Sequence, residues 1–494
     1  MNTLVVINPT VKPEYNKSLD TILIGSDEIN ALVLDSGSST TRAGFAGEDA
    51  PKSLVPSFYG VIQDASSTTT PDDYLFGENA VHNPRAHLEI RNPFGADSVV
   101  ENWDAATRLW EYAITSRLTG IRATHPSKNG LNVGNGGEEV DVAMEGMEEV
   151  EKPMAENPLL MTEPGWNPTK AREKTMEVAM EDWGVPAFWM GKTGVLAAFA
   201  SGKPTALVVD IGANTTSVTP LFDGLPLRKG YAGILHSPLA GNFLSNQLRL
   251  QFAQSNPPAP LVPHFMVKSK SPVDANSPAS ASYVSFATPP SDSFRRLEEE
   301  RVLLSFKESV VQVWQGPGRL SSRQHPNSER TNEDEAATRP GRPFEMPDGW
   351  NSMWGVERYK VVEGLFDHRA ALTDDENPAP DPKHTLPTLI FNSLSQIDVD
   401  LRAQLLQTVI LTGGGSLVEK MTDRLHSELS TMFPNPRVRV YGASGSGPGA
   451  VADRRYAAWV GGSVLGSLGS FHQMWISKKE YDEHGPGILE KRCK

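Results

Sequence analysis

The residues of this chain best suited to bind a phosphate begin at Asp35. A short apolar segment, residues 31–34, runs into Asp35 and then into Ser36, Gly37 and Ser38. This order predicts a strand, a tight turn and a returning strand. The backbone N–H groups of such a turn converge on a concavity that binds anions, and glycine lets a phosphate approach closely. Asp35 would then lie where Mg²⁺ needs a carboxylate, although an ordinary hairpin has the same composition.

A second segment repeats this pattern. Residues 205–218 contain an apolar run that ends at Asp210, followed by Gly212, small polar residues and a β-branched return. Each hairpin needs a sheet of its own to support it. The repeat therefore predicts two facing domains with a nucleotide between them.

A third cluster of small residues follows the apolar residues 409–412. It consists of Gly413, Gly414 and Gly415. Backbone without side chains can pack against a flat base or a ribose. The alternative is a simple connection between a strand and a helix over residues 417–429.

The composition limits the classes of function. The chain has 494 residues, a formal net charge of −14 and a single cysteine, Cys493. Two or more domains are expected from the length, and strong DNA binding, sequence-specific or through phosphates alone, is not expected without a basic stripe. One cysteine excludes an internal disulfide and a thiolate zinc cluster. No membrane span and no secretion signal are indicated, which leaves the cytosol and the nucleus.

Other stretches must support and space these loops. Apolar residues at helical spacing predict helices over residues 99–118, 172–183, 194–200, 239–252 and 295–314. Residues 1–28 are expected to be an irregular lead-in, and residues 63–73 a mobile loop. Composition marks 125–155, 256–292 and 316–342 as exposed insertions. The acidic run in the first insertion is interpreted as a solvated tether, with a strip that docks histones or a nucleosome as the alternative.

These segments resemble those of actin, and more closely those of an actin-related protein. The motifs that carry the similarity are residues 35–51, 158–163, 185–187, 210–218, 344–349, 412–416, 459–462 and, most densely, 471–493. The resemblance implies an α/β fold, the actin-like duplicated ATPase fold, in which two large domains (four subdomains) close over a nucleotide cleft. It implies a first domain at 29–200, a second at 201–456 and a C-terminal return to the first at 457–494.

The same resemblance implies which residues bind ATP and Mg²⁺. Asp35 and Asp210 match the aspartates that hold Mg²⁺ through water. Arg42 stands in the place of a phosphate-contacting lysine and keeps its positive charge. The full set of implied nucleotide-binding residues is Ser36, Gly37, Ser38, Ser39, Arg42, Gly212, Ala213, Asn214, Lys307, Glu308, Gly413, Gly414, Gly415, Leu417 and Arg455.

Little or no ATP hydrolysis is expected. In actin a glutamine and a histidine orient the attacking water, and here Thr193 and Ser217 occupy those positions, while Ala213 replaces an acidic residue. Hydrolysis of a phosphoanhydride depends chiefly on positioning the water and neutralising charge. The chain is therefore expected to bind ATP without being an enzyme.

Within the superfamily, one nuclear group is the most similar. Residues 162–168, 185–192 and 237–242 look like the nuclear actin-related protein shared by chromatin-remodelling and histone acetyltransferase complexes. This implies a chromatin regulator in the nucleus, with roles in transcription and DNA repair. Its implied partners are nuclear actin and the actin-binding helix of a remodelling ATPase or acetyltransferase scaffold.

The surface for such a helix is implied by the last part of the chain. Leu465, Leu468, Ser470 and Met474 match residues that line actin's partner cleft. Two leucines about one helical turn apart and a flexible methionine suit an amphipathic helix. The alternative is that these apolar groups belong to the core of their own subdomain.

Other proteins share the duplicated core. A sugar kinase is disfavoured because no carboxylate base accompanies residues 211–217, and a chaperone ATPase because the chain ends in an actin-type tail. A polymerising actin is disfavoured by the three insertions and by the unlike loop at residues 63–73.

Overall fold

The computed structural model describes residues 31–63, 70–116, 118, 154–227, 233–316, 318–323, 328–442 and 454–493. The predicted lead-in at 1–28, most of the insertion at 125–155 and positions 64–69 of the predicted mobile loop lie outside these residues. No helix within the described ranges is both long and apolar enough to cross a lipid bilayer.

The described ranges contain strands and helices in alternation. The strands are β1 (Leu32–Ser36), β2 (Thr40–Phe45), β3 (Ser53–Pro56), β4 (Tyr59–Ile62), β5 (Leu88–Arg91), β6 (Leu159–Glu163), β7 (Ala187–Lys192), β8 (Ala206–Ile211), β9 (Thr216–Phe222), β10 (Leu225–Pro226), β11 (Leu235–Ser237), β12 (Val267–Ser271), β13 (Ser280–Tyr283), β14 (Arg342–Glu345), β15 (Asn351–Trp354), β16 (Val409–Thr412), β17 (Val440–Gly442) and β18 (Ile476–Ser477). The helices are α1 (Glu78–Val81), α2 (Trp103–Thr115), α3 (Thr169–Glu177), α4 (Thr193–Ala200), α5 (Gly241–Gln254), α6 (Asp292–Ser309), α7 (Asn332–Ala337), α8 (Glu357–Glu363), α9 (Leu386–Ser395), α10 (Val399–Leu406), α11 (Met421–Met432), α12 (Ala457–Ser467), α13 (Lys478–His484) and α14 (Leu489–Arg492).

The first large sheet has the strand order β18-β7-β6-β1-β2-β3. Its strand β1 forms an antiparallel hairpin with β2 and a parallel pair with β6, which in turn pairs in parallel with β7. The first four residues of β1 are buried. This fits an interior strand, because helices α2 and α12 contact the sheet. β18 brings the C-terminal part of the chain into the same sheet.

The second large sheet repeats this arrangement. Its strand order is β10-β9-β8-β16-β17, with β11 beside β9. β8 forms an antiparallel hairpin with β9 and a parallel pair with β16, and β16 pairs in parallel with β17. In each sheet, a hairpin strand that carries an aspartate is followed by two parallel strands. The predicted duplicated α/β fold is confirmed.

Helices α4 and α12 cross between the two sheets. A Cβ atom added at Gly461 of α12 would lie 1.8 Å from the carbonyl oxygen of Leu196 in α4, so only glycine permits this approach. Leu196 packs in the core of the first sheet, while Ala197 packs with Val208 of the second. The helix pair therefore joins the two halves.

Three predicted elements differ from those observed. The helix expected over 417–429 begins only at Met421, because Gly414–Leu417 form a separate 3-10 turn. The helix expected to reach Trp314 ends at Ser309, and Gln312 instead forms a bridge with Glu419. The prediction of an irregular loop over 256–292 was wrong, because β12 and β13 form an antiparallel hairpin there. Its mostly exposed, Ser-rich strands lack the apolar alternation that marks a strand in a sequence.

The insertion at 316–342 was predicted to be exposed, and part of it is not. Leu320 and Ala336 are buried against Trp314 and Tyr359. At the end of the insertion over 125–155, Met154 is completely buried. Single apolar residues in a polar run can still pack, and composition does not reveal them.

Candidate functional site

The first candidate phosphate loop lies between β1 and β2 and consists of Gly37, Ser38 and Ser39. A Cβ atom at Gly37 would lie 2.7 Å from the carbonyl oxygen of Thr40, so the tight turn depends on glycine. The Ser57 hydroxyl donates a hydrogen bond to the carbonyl oxygen of Gly37 (2.6 Å), and the Asn92 amide donates to that of Ser38 (2.8 Å). These two bonds fix the loop in one conformation.

The second candidate loop, residues 212–215, joins β8 and β9. The first two backbone amides of α5 hold this loop. The N–H of Gly241 donates to the carbonyl oxygen of Gly212 (3.0 Å), and the N–H of Asn242 donates to the carbonyl oxygen of Ala213 (2.8 Å). From the other domain, the carbonyl oxygen of Gly95 accepts a hydrogen bond from the Asn214 amide (3.0 Å). Both domains therefore hold this loop.

The glycines of the third cluster have different roles. A Cβ atom at Gly413, which has φ +87°, would lie 2.3 Å from Oδ1 of Asp210. A Cβ atom at Gly415 would lie 2.5 Å from the side chain of Ile211. These two glycines let the turn pack against the end of β8. Gly414 has more space, because the nearest atom to its added Cβ is 3.9 Å away in Arg455.

The three loops face one cavity of about 520 Å³ between the two sheets, a volume in the range of small-molecule sites. The residues predicted from the sequence that line this cavity are Asp35, Ser36, Gly37, Ser38, Ser39, Arg42, Asp210, Gly212, Ala213, Asn214, Lys307, Glu308, Gly413, Gly414, Gly415, Leu417 and Arg455. The structure thus brings together all the residues that were implied for nucleotide and metal.

Further lining residues were not predicted. Leu304 and Glu300 of α6 line the cavity together with Lys307, as do Trp166 and Asn242. The spacing of 300, 304 and 307 along one helical face was a usable signal for the first two. Trp166 had no local signal, because it depends on how the two domains meet.

Asp35 is tied to two side chains. Its Oδ2 atom accepts a hydrogen bond from Nη1 of Arg42 at 2.7 Å, and its Oδ1 atom accepts one from the Thr162 hydroxyl at 2.7 Å. Arg42 lies directly across the hairpin from Asp35, so the register of β1 and β2 produces this ion pair. Thr162 comes from β6, the parallel neighbour of β1.

Asp210 has a different environment. This residue is half-buried and lines the cavity. Burial raises the pKa of Asp210 to about 6; Asp35 contributes in the same direction, and Arg42 opposes it.

A half-buried lysine lies on the α6 side of the cavity. Nζ of Lys307 donates to the Ser245 hydroxyl (2.8 Å) and lies 3.4 Å from the carbonyl oxygen of Gly241. Burial lowers the pKa of this lysine, while Glu300 and Glu308 act in the opposite direction. An anionic ligand would favour its charged form.

The two positions that would orient an attacking water also line the cavity. Thr193 is the first residue of α4, and Ser217 lies directly across the second hairpin from Asp210. Both side chains are short and end in a hydroxyl group, which is not basic enough to accept a proton from water near neutral pH.

The implied partner cleft divides into core and surface. Leu465 is only 7% exposed and belongs to the core of the first sheet, so its assignment to a docking surface was wrong. Leu468 and Met474 are 43% and 44% exposed, and Ser470 is also exposed. The chain leaves helix α12 at Leu468, which turns this side chain away from the buried face that contains Leu465.

The family model and the relatives found by comparison with known proteins indicate the same family. The model of the actin family matches residues 26–494. A protein named "Actin-related protein 4" from Emericella nidulans is 53% identical over 475 residues, which cover 95% of this chain and 98% of the relative. One of the same name from Gibberella zeae is 49% identical over 490 residues, with 98% and 99% covered. The "SWI/SNF and RSC complexes subunit arp42" of Schizosaccharomyces pombe is 33% identical over 482 residues, with 95% and 100% covered.

Proposed function

Because this chain belongs to the actin family, we propose that it is an ATP-binding structural subunit of nuclear chromatin-remodelling and histone acetyltransferase complexes. In this role the nucleotide stabilises the closed arrangement of the two domains and is hydrolysed little or not at all.

The observation that carries the nucleotide part is the meeting of three backbone loops at one cavity. Glycines at positions 37, 212 and 413 are needed for the loop geometry itself, as their close contacts with protein atoms indicate. The concave loops supply N–H donors for phosphates, and the exposed face of Leu417 offers an apolar surface for a base.

For Mg²⁺, the two aspartates at the loops, Asp35 and Asp210, are the carboxylates available. Mg²⁺ keeps several of its water molecules, so these carboxylates would act as acceptors for metal-bound water. Among the described residues, no group of three or more His, Cys, Asp or Glu side chains is arranged to hold a metal directly. Any Mg²⁺ would thus be held mainly by the nucleotide and water.

The proposal of little hydrolysis follows from Thr193 and Ser217. A water molecule beside the terminal phosphate would meet two hydroxyl groups in place of the amide and imidazole found in actin. Positioning of the nucleophile accounts for much of the catalysis in phosphoryl transfer. Binding without turnover suits a subunit whose nucleotide is part of its structure.

The complex is inferred from the names of relatives. One relative carries SWI/SNF and RSC complexes in its name, and others are named actin-related protein 4. From these names we infer a nuclear location. From the resemblance to actin-related proteins we infer pairing with nuclear actin and docking of a helix from a remodelling ATPase or acetyltransferase scaffold. We assign the exposed apolar residues Leu468 and Met474 to the surface that binds this partner helix. Histone or nucleosome contact through the acidic run in 125–155 remains the alternative to a solvated tether.

Two measurements test this proposal. Saturating ATP should raise the melting temperature of the purified protein, because a ligand that binds only the folded state stabilises it. The variant Asp210→Ala should show a smaller rise than the wild type. The tagged chain, purified from nuclear extract, should bring actin and a remodelling ATPase with it. The absence of a thermal shift by ATP, or the absence of these subunits from the purified material, would contradict the proposal.

A further inference from the structure

The pair formed by Asp35 and Arg42 bears on how the cavity neutralises a nucleotide. Asp35 is one of the two aspartates assigned to Mg²⁺, yet each of its oxygen atoms already accepts a hydrogen bond at 2.7 Å. Asp35 is only 4% exposed. The partner Arg42 is a cation and is fixed opposite Asp35 by the strand register.

A metal ion at this point would compete with a cation that is part of the chain. Mg²⁺ held through water uses lone pairs of the carboxylate, and one lone pair on each oxygen of Asp35 is already directed to the guanidinium or to Thr162. Placing a divalent cation beside Arg42 also adds repulsion between like charges. The site is therefore less favourable for a metal than a free aspartate would be.

The second loop reduces the need for a metal further. Ala213 lines the cavity where the resemblance to actin implies an acidic residue, so one negative charge fewer faces a bound phosphate. Of the residues in the first two loops and the strand ends beside them, Asp35 and Asp210 are the carboxylates that line the cavity.

Arg42 is itself placed to meet an anion. Its Nη1 atom would lie 3.5 Å from a Cβ atom added at Gly37, so the guanidinium is beside the first loop. It also lies over the ring of Tyr456, 5.5 Å from the ring centre. Its Nε atom is buried and has no hydrogen-bond partner among the described residues. The buried Nε cannot reach a ligand, but Arg42 lines the cavity and uses only Nη1 for its hydrogen bond to Asp35, which leaves other N–H groups of the guanidinium for an anion.

We propose that this cavity binds the phosphates of ATP with little contribution from a divalent cation, because Arg42 takes the place of the metal and Asp35 anchors Arg42. This inference rests on the proposed nucleotide binding and specifies how the charge is neutralised. Mg²⁺ would accompany the nucleotide without being required for its retention.

The test is calorimetric titration of the purified full chain with ATP, in excess Mg²⁺ and in excess chelator. The affinity without metal should fall by less than about tenfold. A larger loss in chelator would overturn the inference while leaving nucleotide binding intact. An absence of binding in both conditions would contradict the proposed function itself, and this inference with it.

Two variants assign the effect to named residues. Arg42→Gln should weaken binding in chelator more than in Mg²⁺, so that the ratio of the two affinities rises by about tenfold or more. Ala213→Asp, which restores a carboxylate without removing any contact of Arg42, should raise the same ratio. Arg402→Gln is the matched control, since Arg402 does not line the cavity and bonds to the carbonyl oxygen of Ile397, so the ratio should stay unchanged. Unchanged ratios in both test variants would overturn the inference.

Discussion

Trp166 and His236 stack face to face between the two domains, with their ring centres 4.2 Å apart and their planes at 14°. Trp166 follows β6 of the first sheet, and His236 lies in β11 of the second. The indole N–H of Trp166 donates a hydrogen bond to the carbonyl oxygen of Asp97 (2.9 Å), which orients the ring. The stack is a contact between the domains beside the cavity that Trp166 lines.

This stack should make the stability of the protein depend on pH. His236 is partly exposed, and the desolvation on its packed side lowers its pKa from the ordinary value of 6.5; Asp97 raises this pKa and His384 lowers it. The unfolded chain therefore takes up the proton more readily, so this stabilisation is complete above pH 6.5 and is lost as the pH falls towards the lower folded value. Between pH 7.5 and pH 5.5, the melting temperature of His236→Phe should fall less than that of the wild type. The exposed His472, changed to Gln, is the control and should behave as the wild type. Identical pH profiles for wild type and His236→Phe would contradict the prediction.

The crossing of α4 and α12 should not tolerate a side chain at position 461. Gly461→Ala places a methyl group where only 1.8 Å separates it from the Leu196 carbonyl oxygen, so the helices must move apart. We expect a loss of about 1–3 kcal/mol or more in the free energy of unfolding, measured by denaturant titration. Gly469→Ala is the control, because nothing lies within 4 Å of an added Cβ there. Equal stability of the two variants would show that the crossing is not tightly packed in solution.

The C-terminal end of the chain is held by a buried arginine. Arg172 donates to the carbonyl oxygen of Cys493 and to the carboxylates of Glu163 and Glu490. Burial opposes the charge of Arg172, but these two carboxylates outweigh it and raise the pKa of the guanidinium. Arg172→Met leaves Glu163 buried, with the Asn167 amide at 3.2 Å and the Lys192 ammonium 3.8 Å away, and should cost about 3–5 kcal/mol of unfolding free energy.

The matched control for Arg172 is Lys174→Met. Lys174 pairs with Glu177 at 3.4 Å on the surface of the same helix, and surface pairs contribute about 0–1 kcal/mol. A loss in Arg172→Met no larger than that of the control would mean that the C-terminal anchor contributes nothing measurable.

The slow hydrolysis of ATP should result from the residues at positions 193 and 217, and substitutions there should raise the rate. In a single-turnover assay with radiolabelled ATP, the wild type should release phosphate far more slowly than actin under the same conditions. Thr193→Gln combined with Ser217→His restores groups that can orient water, and it should raise the rate by about tenfold or more without weakening ATP binding. Asn242→Gln, also in the cavity, is the control for general disturbance. Phosphate release by the wild type at actin's rate would refute the explanation.

The exposed apolar residues after α12 should be needed for partner binding. Leu468→Asp combined with Met474→Asp places two charges on a surface that a partner helix would cover, and it should abolish co-purification with a remodelling complex. ATP binding should be retained, because neither residue lines the nucleotide cavity. Val399→Asp, at a site 67% exposed in α10, is the control. Normal recovery of the complex with the double variant would place the partner elsewhere.

The sequence determined the local parts of this protein. An apolar run, an aspartate and a glycine within a few residues are enough to define each hairpin loop, because turn geometry depends on neighbouring residues. The duplicated fold and the residues around the cavity followed from these motifs and from the resemblance to actin. Asn102 caps α2 by accepting a hydrogen bond from the N–H of Ala105, which is a contact between near neighbours in the sequence.

Contacts between side chains that are far apart in the sequence became visible only in the folded chain. Leu465 and Leu468 are similar in sequence context, yet one is in the core and the other on the surface, because the helix ends between them. The stack of Trp166 on His236 and the bond from Arg172 to Cys493 join segments whose separation along the chain carries no periodic signal. Such contacts depend on how the two sheets and their helices pack, and that arrangement is fixed by the sum of many apolar contacts.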